Sequence, residues 1–178
     1  MKSVISLVAV SILCVSCGGA QPAGEPETAG PAQQPYGTLA QMMRGIPFPN
    51  SNIIFDTQTI DPAAPPEAEA GGGASAQFNQ VYGGWQAVEN AALALQETAN
   101  LLTIPGRMCE NGRPAPIGNE DFQRFTQGLA DAGAAALTAA RAKDLDAMVE
   151  VSGTMADACA ACHEIYRDKE DNADRCIP

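Results

Sequence analysis

The sequence predicts an all-α protein, an antiparallel up-down-up-down four-helix bundle whose first helix is kinked or split. Three observations carry this expectation. The chain is rich in alanine and poor in aromatic residues, and Val, Ile, Thr and Tyr nowhere alternate as a strand requires. Phe78, Val81, Trp85, Val88, Ala92, Leu95, Ala99 and Leu102 recur at alternating spacings of four and three, the stripe of a bundle helix. Further stripes follow after short or modest connections, which favours antiparallel neighbours. At 178 residues there is room for one ordinary domain and a tail.

The chain opens with Met1-Lys2, a mostly apolar run from Val4 to Val15, and then Ser16-Cys17-Gly18-Gly19-Ala20. That order of charge, apolar core and small residues is a secretory signal, and it is too short for a membrane span. Residues 1–16 are assigned to it. Val15-Ser16-Cys17 is similar to a bacterial lipobox, in which cleavage precedes a cysteine that then carries lipid, although Cys14 stands where leucine is usual. Two routes stay open: lipidation of Cys17, which anchors the protein to a membrane, and ordinary cleavage after Ala20. Either exports the domain to the periplasm or cell envelope. Residues 17–35 are mainly Pro, Gly, Ala, Gln and Glu with nothing to bury, a disordered tether, which leaves 36–178 for the bundle.

From Tyr36 the first helical stripe runs through Leu39, Met42, Met43 and Ile46. Gly45, Pro47 and Pro49 interrupt it before Ile53, Ile54 and Phe55, and each interior proline costs about 3 kcal/mol, hence the expected break. Pro62 to Ser75, with Pro65-Pro66 and Gly71-Gly72-Gly73, is a long connection. The second helix is the stripe from Phe78 to Leu102, stopped by Pro105-Gly106. A loop carrying Cys109, Pro114 and Pro116 leads to Asn119, an N-cap candidate, with Glu120 and Asp121 at the positive helix end. Phe122, Phe125, Leu129, Ala132, Ala136 and Ala140 mark the third helix. Asp144 caps the fourth, whose inner face holds Leu145, Met148, Met155, Cys159, Cys162, His163 and Tyr166.

Cys159-Ala160-Ala161-Cys162-His163 has the spacing of covalent haem attachment. Two thiols three residues apart on a helix meet two vinyl groups on one edge of a porphyrin, and the adjoining imidazole reaches the iron from the same side. A zinc knuckle needs further thiolate or imidazole partners, and a thioredoxin-like pair needs a strand before its helix. Neither context is present, and His163 is the only histidine. One covalent haem c ligated by His163 is therefore expected. Cys109 and Cys176 are then left over; in an oxidising compartment they form a disulfide, worth roughly 4 kcal/mol, or else remain two free thiols. The formal charge of −11 excludes nucleic acid as a natural partner. That acidity is either a soluble surface or a docking face for a basic redox partner.

The longer run Cys159-Ala160-Ala161-Cys162-His163-Glu164-Ile165-Tyr166-Arg167, late in the last of four helices, resembles the class II cytochromes c, the cytochrome c-prime group, over roughly Tyr36 to Lys169. The resemblance implies haem between the helices near one end of the bundle, His163 as proximal ligand, the first helix facing the distal side, and Tyr166 and Arg167 at the haem, Arg167 near its edge. In that group a distal methionine makes a six-coordinate electron carrier, and an apolar distal residue leaves a five-coordinate haem that binds small gases. Met42 and Met43 lie at the same level of the bundle as His163, each about 10 Å from one end. Met43, followed by Arg44, is closer to the family's ligand position; Met42 is the alternative, and both could simply fill core space. Met148 and Met155 share the histidine's helix and are expected beside or beneath the haem. The Gly45–Pro49 break departs from the family, whose first helix continues through this level. The expected function is electron transfer with redox partner proteins, not enzymatic conversion; the alternative is a five-coordinate haem binding nitric oxide or another small gas. Peroxidase-like catalysis ranks low because no second histidine can act as distal acid or base. Homodimers are common in the resembling group.

Overall fold

The computed structural model describes residues 32–64 and 82–178, so the leader, Cys17, most of the tether and the connection after Ala64 lie outside the described residues. The compact unit begins at Gln33. Helix α1, Leu39–Gly45, opens with a capping box: the Gln41 backbone N–H donates to the Thr38 hydroxyl, and the Thr38 N–H donates to the Gln41 side chain. At Ile46 the backbone leaves helical geometry (φ −124°, ψ −67°), and Pro47 starts α2, Pro47–Asp56. The first helix is thus split. Pro47 and Pro49 both fall in the first turn of α2, where a missing N–H costs no helical hydrogen bond, so they begin a helix instead of bending one.

Helix α3 is Gly84–Leu102. The sequence expectation of an unbroken helix from Phe78 is corrected here: Gly83 is extended and Gly84 has a φ of 59°, open mainly to glycine. A Cβ at Gly84 would lie 2.7 Å from the Pro62 carbonyl oxygen, so the start of the preceding connection lies close against this point. Phe78 and Val81 lie outside the described residues. Helix α4 is Glu120–Ala142, and α5 is Leu145–Tyr166, joined by Lys143 in the left-handed region and by Asp144, whose side chain accepts from the Ala147 N–H at 3.0 Å. A 3-10 turn, Asn172–Asp174, follows.

Contacts at the ends give the helix directions. Arg141 near the end of α4 donates to Glu89 near the start of α3 at 2.9 Å, so these two are antiparallel. Phe122 at the start of α4 meets Tyr166 at the end of α5 edge-on, with ring centroids 5.6 Å apart, so this pair is antiparallel too. Just before α1, Gly37 accepts from Arg107 at 2.9 Å, and the Leu39 N–H donates to the Met108 carbonyl at 2.8 Å, which ties the start of α1 to the loop beyond the end of α3. Ile54, Leu95, Phe122, Ala136, Met148 and Met155 are among the core side chains, all essentially without solvent exposure. Cys109, in the loop after α3, and Cys176, beyond α5, meet at one end with sulfurs at disulfide distance and Cα atoms 6.6 Å apart.

Candidate cofactor site

Near the end that the Cys109–Cys176 pair closes, the bundle leaves a cavity of about 410 Å³, within the range of small-molecule sites. Its walls are largely apolar. Leu39 and Met43 come from α1, Pro47, Phe48 and Phe55 from α2, and Phe122, Phe125 and Leu129 from α4. Helix α5 contributes Cys159, Cys162, His163 and Tyr166, so the attachment signature opens onto this cavity. The amphipathic pattern explains it: positions 159, 162, 163 and 166 repeat at three, one and three residues and share one helix face.

Both thiols are half-buried and unpaired. Burial pushes the Cys162 thiol up to about 11, with the Asp121 carboxylate and Cys159 adding to the rise. Burial also raises Cys159, against the nearby Arg167. Protonated thiols are poor partners for disulfide exchange, so this pair is suited to persist as a dithiol. Burial first, and Arg167 second, hold His163 below the usual histidine range, while Asp168 opposes them. At neutral pH it is a neutral imidazole, the form that donates a lone pair to a metal.

Tyr166 fixes the last turn of α5. Its hydroxyl donates to Asp121 and accepts from the Asn119 side-chain amide at 3.2 Å, while Asp121 also accepts from the Phe122 N–H at 2.8 Å. Asn119 stands at the N-cap backbone position of α4, but its side chain makes no capping bond, and its amide N–H donates to Tyr166. The Tyr166 hydroxyl is the main reason the Asp121 carboxyl lies below the ordinary aspartate range, and burial, followed by Asp121, raises Tyr166. Sequence reasoning treated Asp121 only as a helix-dipole partner; the clamp joins residues far apart in the chain, and no periodicity announces it.

Met43 lines the cavity, whereas Met42, also partly buried against the core, is not among the lining residues. Met148 and Met155 do not line it either and sit fully buried in the core. At the mouth, Arg44 pairs with Glu110 at 2.9 Å and Arg167 with Asp168 at 2.7 Å. Arg175 and Asn172, from the tail beyond Lys169, also reach the cavity, outside the span that the sequence resemblance covered.

Among the described residues no three of His, Cys, Asp and Glu gather where they could hold a metal ion. A metal bound by His163 therefore needs ligands from a cofactor or from a softer donor such as Met43. The donor set fits a porphyrin: apolar walls, two thiols one helical turn apart, a neutral imidazole beside them, and cationic groups at the rim. No protein-family model matches the chain, and no curated protein or solved structure matches it.

Proposed function

We propose that this chain is an exported monohaem c-type cytochrome that carries electrons between redox partner proteins. The observation that carries the reading is the convergence of Cys159, Cys162 and His163 on one apolar-walled cavity that Met43 also lines. Haem in that cavity would supply reversible one-electron chemistry at its iron. The chain's own residues do the rest. Cys159 and Cys162 would hold the cofactor as two thioethers, each thiol's sulfur and hydrogen being taken up by a vinyl double bond. His163 would hold the iron through its neutral imidazole and the Met43 sulfur would be the second protein donor, a thioether that favours the ferrous state. Phe122, Phe125 and Leu129 keep water from the site, while the Tyr166–Asp121 bond holds the turn that bears the histidine. Arg167 stands at the cavity rim. A lipid on Cys17 belongs to the same proposal and would hold the domain at a membrane by its tether.

The test is an absorption spectrum of the exported, matured protein, oxidised and reduced, with carbon monoxide added last. A low-spin haem that stays on the polypeptide after denaturation and ignores carbon monoxide is expected. A covalent but high-spin haem that shifts with the gas would replace electron transfer with gas binding. A protein without covalent haem would overturn the reading entirely.

A further inference from the structure

Three arginines line the cavity, and two are already engaged, Arg44 by Glu110 and Arg167 by Asp168. Arg175 is different. Its Nε is buried and has no hydrogen-bond partner, and among the described residues its side chain enters no ion pair. An unmet buried donor costs about 1–3 kcal/mol, so this Nε, on a side chain that is only partly buried overall and whose charge Glu110 and Asp168 feel at longer range, calls for an acceptor inside the cavity.

The backbone that presents Arg175 is held on several sides. Cys176 is joined to Cys109, and its N–H donates to the Tyr166 carbonyl at 2.9 Å. The Asn111 amide donates to the carbonyls of Asn172 and Arg175 at 2.9 and 3.0 Å, and Arg113 donates to the Ala173 carbonyl at 3.1 Å. The tail after α5 is thus a strap across the mouth, and it offers a permanently charged, fork-shaped donor whose geometry suits a carboxylate.

We infer that Arg175 binds a propionate carboxylate of the cofactor, so that the disulfide-closed strap, and not only the four-helix bundle, forms part of the haem site. This rests on the haem reading above. The residue acts by position and charge, leaving attachment to the two cysteines.

The experiment compares the matured wild type with Arg175→Gln, Arg175→Lys and Arg141→Gln, reading covalent haem, midpoint potential and the propionate-bending band in the resonance Raman spectrum. Because the Arg175 side chain makes no hydrogen bond among the described residues, Arg175→Gln removes none of these and should mature normally. Its potential is expected to fall, since a cation near the iron favours the less positive ferrous state, and its propionate band should shift. Arg175→Lys should keep a potential near wild type while the band shifts, because the charge remains and the fork is lost. Arg141→Gln removes a cation at the other end of the bundle, where Arg141 pairs with Glu89, and should change neither. The inference is overturned if Arg175→Gln retains the wild-type potential and band, or if Arg141→Gln reproduces its changes. Wild type lacking covalent haem overturns the functional reading and this inference together, which separates that failure from the others.

Discussion

The crossing of α3 and α4 rests on a missing methyl group, and adding it is a quantitative test of the packing. A Cβ at Gly133 would lie 2.7 Å from the backbone nitrogen of Gln96, 2.9 Å from its Cα and 3.0 Å from its Cβ. These are backbone or backbone-proximal atoms, so no rotamer change relieves the overlap. Restoring ordinary contact requires the helices to part by about 0.7 Å along a close-packed seam. Overpacking of this kind costs about 3 kcal/mol at the upper end, and the better helix propensity of alanine returns about 1 kcal/mol. Gly133→Ala should therefore lose about 2 kcal/mol, or about 4–8 °C in Tm for a domain of this size. Gly128 lies on the same helix with nothing within 4 Å of its added Cβ, so Gly128→Ala should instead gain about 0.5–1 kcal/mol. Urea denaturation followed by far-ultraviolet circular dichroism measures both. A Gly133→Ala variant as stable as wild type, or equal losses at the two positions, would refute the close approach as the reason for glycine here.

Met43→Ala should abolish a sulfur-to-iron band and open the iron to carbon monoxide, whereas Met42→Ala should leave the spectrum unchanged; the reverse pattern would move the ligand to Met42. Because the Asp121 pKa is depressed, its bond to Tyr166 contributes fully above the ordinary aspartate value of 3.8 and is lost as pH falls through the lower folded value. The Tm gap between wild type and Asp121→Asn should accordingly narrow between pH 7 and pH 3, and a gap that stays constant would contradict this sign. Replacing Cys109 and Cys176 together by serine should cost about 4 kcal/mol in urea titrations, since the link spans 67 residues; unaltered stability would mean the thiols are not joined in the mature protein.

Much of this architecture was legible because it is periodic. The stripes on α4 and α5 repeat at helical spacing over many turns, and the prolines around Ile46 announce the split by a local rule that needs no tertiary contact. The attachment signature is equally local. What escaped is what distant segments decide. Phe78 and Val81 continue the spacing of α3, yet the helix described begins at Gly84, where the Pro62 carbonyl crowds a left-handed backbone. Asn119 has the composition of a cap, and a tyrosine from another helix captures its side chain. Met42 and Met43 are about 100° apart on one helix, and only the shape of the cavity distinguishes them. Arg175 sits in a polar tail whose sequence shows no periodicity at all.

The split first helix also changes what holds the distal wall. With seven residues, α1 is far too short to be stable by its own hydrogen bonds, so Met43 is positioned by what α1 touches. Besides the packing of Leu39, Met42 and Met43 on the core, those contacts include the loop after α3: the Met108 carbonyl takes the Leu39 N–H, Arg107 reaches Gly37, and Glu110 pairs with Arg44 beside Met43. The same loop carries Cys109 and Asn111, which fasten the tail, and the tail is hydrogen-bonded to the Tyr166 carbonyl at the end of the histidine's helix. In the proposed cytochrome the two axial sides are therefore linked by a continuous path from α1 through the loop, the disulfide and the strap to α5. A bundle with an uninterrupted first helix would fix its distal residue by helix packing alone. Here the break at Ile46 transfers that task to the closed end, where the disulfide, the arginines and the cavity mouth coincide.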